Sequence, residues 1–123
     1  MRFVIVLLAA LAVASPAVAE DYEQGPNGGL MLDVAGIDAE LLTSGNTVTI
    51  NVYEAFKPNP VSTKGYVAAV LIVSGASRET LTLTQTGANS LKGEAKKLIP
   101  PDATITLTIK TEAGKSGQVK FRK

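Results

Sequence analysis

The chain contains no Cys, no His and no Trp. These absences remove disulfides, thiolate nucleophiles, imidazole bases and the imidazole or thiolate ligands that hold copper, zinc or nickel. Aromatic residues are few, three Tyr and three Phe, so platforms for stacking sugars or bases are scarce. No sign of charge dominates. Lys and Arg number 12 against 11 Asp and Glu, and beyond Arg2 the balance is even. An even balance lacks the basic field that nucleic-acid binding requires. It also lacks the polybasic cluster that holds a protein to anionic lipid.

Only one long apolar run exists, Phe3 to Val13, at the amino terminus. Met1 and Arg2 precede it, Ser15 and Pro16 interrupt it, and Ala17-Val18-Ala19 follows as a small-x-small site. This order predicts a secretory signal peptide over 1–19. The run is too short for a membrane span, which takes roughly 20 apolar residues. No stable membrane insertion is expected after cleavage. Residues 20–28 are polar and rich in Gly and Pro, and read as a flexible lead-in. The remaining segment, 29–123, is long enough for one domain with one apolar core.

Within that segment the dominant period is two. Thr47 to Val52, Thr80 to Thr84 and Thr104 to Ile109 alternate Thr or Asn with Val, Ile or Leu. Successive strand side chains face opposite ways, so each run sends aliphatics to a core and hydroxyls toward water. Val67 to Val73 is apolar without alternation and predicts a central strand covered on both faces. Gly29 to Val34, Ala39 to Thr43, Leu91 to Lys96 and Gln118 to Arg122 are weaker strand candidates. Gly and Asn between these runs supply hairpin turns. The expected fold is all-β: an immunoglobulin-like antiparallel β-sandwich of seven or eight short strands, with a small closed barrel as its competitor.

The available chemistry is sparse. Ser62-Thr63-Lys64 lies on the irregular Ala55 to Lys64 connection, and a Ser–Lys pair there would lack an oxyanion donor. Asp33, Asp38, Glu40 and Glu54 read as scattered surface charges rather than a catalytic pair. Asp21, Glu23 and Asn27 miss the order of a calcium-binding loop, and Met31 sits in a strand pattern that favours packing. No catalytic residue, cofactor or metal ligand is therefore assigned. Recognition remains, and the candidate contact loop is Tyr53, Phe56, Lys57 and Tyr66, carried on or beside the Pro-containing connection; the alternative is that Phe56 caps the core while the Tyr rings cover strand ends.

Several stretches, in order, resemble a small periplasmic β-domain of bacterial heavy-metal efflux systems. That domain occurs at the N-terminal end of some periplasmic adaptor subunits of RND-type pumps and as free-standing secreted proteins. Gly25-Pro26-Asn27-Gly28-Gly29 is similar to its opening Gly-Pro-(His or Asn)-Gly-Gly, and Ala39-Glu40-Leu41-Leu42 to the strand that follows. Val48 to Glu54, Lys57-Pro58 and Gly65 resemble its next strand and loop. Leu83, Gly87, Asn89, Leu91 and Gly93 resemble a Leu…Gly-x-Asn-x-Leu-x-Gly stretch, and Lys115 to Phe121 a closing hairpin. Asn27 stands where metal-linked members often carry His. The resemblance thus implies a non-enzymatic periplasmic accessory or docking module, with an envelope transport or efflux component as partner, rather than a metal carrier. A free-standing envelope structural or adhesion-type domain is the alternative.

Overall fold

The structure, a computed structural model, describes residues 23–122. The segment read as a signal peptide lies outside the described residues, as do residues 20–22 and Lys123. Nine antiparallel strands and no helix make up the described chain. They are β1 (Glu23–Gln24), β2 (Leu30–Val34), β3 (Ile37–Ser44), β4 (Thr47–Glu54), β5 (Val67–Ser74), β6 (Ser77–Thr86), β7 (Ser90–Glu94), β8 (Thr104–Lys110) and β9 (Ser116–Arg122). Every strand run in the sequence is realised, and β1 is additional. Ala35-Gly36 closes the β2–β3 hairpin with both residues at positive φ, as a tight primed turn requires.

The strands form one ladder in the order β1-β2-β3-β4-β7-β6-β5-β8-β9. Here the structure differs from the expected immunoglobulin-like sandwich of two sheets. The reason lies in β6, whose ten residues are shared. Its first part pairs with β5, Leu83 opposite Ala68, and its last part pairs with β7, Thr84 opposite Lys92. One strand thus carries the ladder around a bend, and the sheet curls into a half-barrel. The ends of the curl meet where Gly117 of β9 packs against Val34 and Ala35 at the end of β2.

The concave face is the core. Alternate residues supply it: Ala39 and Leu41 from β3, Val48, Ile50 and Val52 from β4, Val70 from β5, Leu91 from β7 and Ile105, Leu107 and Ile109 from β8. Phe121 of β9 is fully buried and is the largest side chain there. Burying such aliphatics contributes roughly 25 cal/mol per Å² of apolar surface, the main term holding the sheet closed.

β5 lies inside the sheet, between β6 and β8, but only one of its faces is buried. Ala68, Val70 and Ile72 point inward. Ala69, Leu71 and Val73 point outward and are half-buried between Thr82, Thr80 and Arg78 on one side and Thr108, Thr106 and Thr104 on the other. This corrects the expectation of cover on both faces: Thr side chains flank the apolar row on the neighbouring strands, and no second layer of described residues lies above it.

The lead-in also differs from the flexible segment expected, in its described part. Glu23 and Gln24 pair with Met31 and Leu30, and residues 25–29 close a turn through Gly25 N donating to Gly29 O (2.8 Å) and Gly28 N to Gly25 O (3.0 Å). A buried carboxylate fastens that turn.

Candidate functional site

On β2, β3 and β4 the core takes Leu30, Leu32 and Val34, then Ile37, Ala39 and Leu41, then Val48, Ile50 and Val52. Alternation therefore sends Met31, Asp33, Asp38, Glu40, Asn51 and Tyr53 to the convex face. Such a face normally meets water. Here residues 23–29 and the β4–β5 connection fold over it, so Asp38 and Glu40 are 2% and 0% exposed. The reading of these two carboxylates as scattered surface charges is thereby overturned. Asp33 and Glu54 remain exposed.

Glu40 is the anchor of the amino-terminal turn. Its Oε2 accepts the backbone N–H of Asn27 (2.8 Å) and of Gly29 (2.9 Å), and its Oε1 accepts Nδ2 of Asn27 (3.0 Å). The same Asn27 Nδ2 donates to the Tyr53 hydroxyl at 3.0 Å. These donors satisfy the polar atoms of a buried carboxyl group. Gly25 must be glycine because a Cβ there would overlap the Glu40 carboxyl. The Gly-Pro-Asn-Gly-Gly motif is thus a clasp around Glu40, and Asn27 is a hydrogen-bonding strut.

Beside this clasp lies an open cavity of about 490 Å³, in the range of small-ligand sites. Gly25 and Pro26 of the turn, Met31 and Tyr53 of the sheet, and Phe56, Lys57 and Pro58 of the connection line it. Asp38 and Glu23 supply its acidic groups. A narrower cleft of about 40 Å³, which adds Asp33, shares Glu23, Met31 and Asp38 with it.

Asp38 is the residue least at ease in the fold. Its Oδ2 accepts the Phe56 N–H at 3.1 Å, while its Oδ1 is buried with no hydrogen-bond partner among the described residues. Asp33 lies directly opposite it across the β2–β3 ladder. Burial pushes its carboxyl up from 3.8 to about 6. Hydrogen bonding of the protonated form to Asp33 and the charges of Asp33 and Glu23 add to this, and the Phe56 amide opposes it. A raised folded-state value means that the native state holds this proton more tightly than the unfolded chain. Stability therefore falls as pH rises between about 4 and about 6 and stays lower above that window. Allowing for solvent near the cavity, the difference is about 2 kcal/mol, since one unit is about 1.4 kcal/mol. Asp38→Asn keeps an acceptor for Phe56 and ends the repulsion. The variant should be more stable by about that amount near pH 7.5 and unchanged near pH 4. Denaturant titrations at the two pH values will show it, and equal gains at both would refute the assignment.

Phe56 is held in a conformation that favours glycine. Lys57 N donates to Glu54 O at 3.1 Å, closing a four-residue turn with Phe56 at its third position and φ at 66°. Left-handed backbone costs a non-glycine residue about 1–2 kcal/mol. The ring recovers little by packing, because the residue is 81% exposed. At that exposure the ring does not cap the core. Phe56→Gly should raise stability by about 0.5–1 kcal/mol, the strain relieved less the entropy of glycine. A lower denaturation midpoint would mean that the ring packs after all.

Tyr53, Phe56 and Lys57 therefore meet at one cavity. Tyr66, the fourth residue of the expected contact loop, lies elsewhere. It lines a separate depression with Val61, Ser62, Thr111, Glu112 and Lys115, and burial and the Glu112 charge push its hydroxyl up. Thr63 between them is fully buried and donates to Ser90 O at 3.1 Å, which turns the chain between the two places. Ser62 Oγ accepts the backbone N–H of Lys64, so the Ser62-Thr63-Lys64 run is turn structure. Lys57 Nζ is 3.9 Å from Glu54. Among the described residues no group of three His, Cys, Asp or Glu is placed to hold a metal ion. Sequence reasoning missed Asp38, Glu40, Glu23, Met31 and the Gly25–Pro26 wall. The signal that could have found them is the pair Gly25 and Gly29 around Pro26-Asn27, close-approach glycines ahead of an acidic strand. Compared with known protein families, with curated proteins and with solved structures, the chain matches none.

Proposed function

We propose that this protein is a non-enzymatic docking module of the bacterial cell envelope. In this reading it is exported through its amino-terminal signal peptide and acts by contact with a transport or efflux component. The observation that supports this reading most is the exposed, strained Phe56 beside a preformed cavity. An aromatic ring kept outside at an energetic cost is what a contact site needs and what a merely stable loop does without. The rigid sheet under Tyr53 and the Glu40 clasp fix the cavity walls, so little order has to be gained on binding. The likeness of the Gly25 to Gly29 opening to efflux-associated domains supplies the kind of partner.

A photo-crosslinking residue at position 56, with another at Gly87 in the β6–β7 turn as control, tests this in living cells. The expected result is an adduct with an envelope transport component from position 56 and none from 87. Equal yields from both positions would remove the reading.

A second reading, a free-standing structural or adhesion-type domain, draws on the convex face of β6, β5 and β8. There Thr80 and Thr82 on one strand and Thr104, Thr106 and Thr108 on another border Ala69, Leu71 and Val73. Charged substitutions at Leu71 that abolish surface attachment while position 56 stays silent would favour it.

A further inference from the structure

We propose that the cavity beneath Phe56 is built to take a primary ammonium group carried on an apolar body, with the free Oδ1 of Asp38 as its acceptor. The inference rests on the docking reading above and names the chemistry of what is docked.

Three observations carry it. First, Asp38 is 98% buried by its 2% exposure, one of its carboxylate oxygens has no donor, and it lines the cavity. A buried acceptor left open is expensive, on the order of 1–3 kcal/mol and more for a charged group. Oδ1 is closed to solvent in this conformation, so a donor in the cavity would reach it through a turn of the Asp38 side chain, and that contact would remove the penalty. Second, the neighbours of that oxygen add negative charge. Asp33 stands opposite on β2, Glu23 on β1 lines the same cavity, and Tyr53 faces Asp38 from β4. Lys57 is the only cation among the lining residues, and its Nζ lies 3.9 Å from the Glu54 carboxylate, which offsets its charge. A neutral donor would satisfy one lone pair and leave the charges unbalanced; an ammonium has three donors and a compensating charge. An anion would meet two carboxylates. Third, the walls are apolar or aromatic: Met31, Tyr53, Phe56, Pro26 and Pro58. Aromatic faces attract cations by about 0.5–2 kcal/mol, and the exposed Phe56 ring can fold over an aliphatic or aryl stem without disturbing the core. A bare metal ion would need several oxygen ligands around it, and the described residues offer no such group.

The ammonium could belong to a free amine or to a Lys side chain of the docked protein. Both present the same group to Asp38, and one experiment separates them. The isotopically labelled protein is titrated near pH 7.5 with benzylamine, N-acetyl-lysine methylamide, benzyl alcohol and benzoate, and amide shifts are followed. Both amines should move the amides of Gly25, Asp38, Tyr53 and Phe56; benzyl alcohol and benzoate should not. Tighter binding of benzylamine points to a free aryl amine, and tighter binding of the lysine derivative to a protein side chain. Asp38→Asn should weaken the amines about tenfold or more while raising stability, a split that loss of folding cannot mimic. Lowering the pH through about 6 should weaken them as well, because the carboxyl then takes a proton instead.

Benzyl alcohol binding as well as benzylamine would overturn the ammonium assignment and leave the docking reading standing. Displacement of benzylamine by equimolar calcium chloride would overturn it in favour of an inorganic cation. Silence from all four probes, with crosslinks still forming at position 56, would likewise end the assignment alone. Silence together with no crosslinks would end both.

Discussion

Replacing Glu40 with Ala should destabilise the protein by about 4 kcal/mol, the largest effect expected of any convex-face residue. Glu40 is fully buried and accepts three N–H groups, two of them backbone donors of the turn that precedes β2. Charge-assisted bonds of this kind contribute roughly 1.5–3 kcal/mol each before compensation. Truncation leaves the Asn27 and Gly29 N–H groups without an acceptor and opens a void under the turn. Asn27 would then hold to the sheet through Tyr53 alone. The expected result is a lower urea midpoint together with fast hydrogen exchange at residues 27 and 29, while core amides of β4 and β8 report only the global loss. Glu40→Gln keeps one oxygen acceptor and loses the charge, so it should fall about halfway between. A loss below about 1 kcal/mol for the Ala variant would show that the turn is held by something other than this carboxylate.

The same substitution bears on how much of the molecule could be seen from residues alone. The strands could be seen because their inward positions are aliphatic and their outward positions carry hydroxyls. Thr104 to Ile109 became β8 (Thr104–Lys110) and Thr47 to Val52 became most of β4. Layering could not be seen. The run from Ser77 to Thr86 alternates evenly, and nothing in it marks that its partner changes from β5 to β7 at Thr84. The burial of β5 was misjudged for a related reason: Leu71 and Val73 suit an outward row between Thr side chains as well as they suit a covered face. At the site, Pro58 and Pro60 marked the irregular connection and so pointed to Tyr53, Phe56 and Lys57. Asp38 and Glu40 gave the opposite impression. An acidic residue at every second position of a strand reads as a face in water, and only a long-range event, residues 23–29 lying over β3, buries them. Local period tells which face a side chain takes; it does not tell what later covers that face.

Residues that carried the family resemblance prove to be mostly joints of this fold. Asn89 donates Nδ2 to Val52 O at 3.1 Å and accepts the Val52 N–H at 2.9 Å through its own carbonyl, pinning the β6–β7 turn to β4. Gly93 lies where a Cβ would come within 3.0 Å of Leu81 and Leu83 side chains and the Thr82 carbonyl. Such positions constrain how the chain folds.

The two glycines that close the clasp separate backbone strain from close approach. Gly28 has φ at 86°, and its nearest neighbour for an added methyl group is 3.8 Å away. Gly28→Ala should therefore cost about 1 kcal/mol, the left-handed penalty alone. At Gly29 the φ is not left-handed, but a Cβ would overlap the Leu41 carbonyl oxygen and lie 2.8 Å from Leu42 Cδ2 and 3.1 Å from Glu40 Cγ. The first of these is backbone in the middle of β3 and cannot swing away. The turn has to lift instead, which lengthens the Gly29 N–H bond to Glu40 and disturbs both bonds from Asn27. Overpacking of this kind costs about 1–3 kcal/mol, and the lost charge-assisted bonds bring the expected total to about 3 kcal/mol. Lifting the turn also displaces Gly25 and Pro26, which wall the cavity. Gly29→Ala should thus weaken benzylamine binding as strongly as it weakens the fold, whereas Gly28→Ala should leave the binding nearly as it was. Equal stability losses in the two variants, measured by urea unfolding, would show that the motif needs its glycines for backbone freedom rather than for the approach to β3.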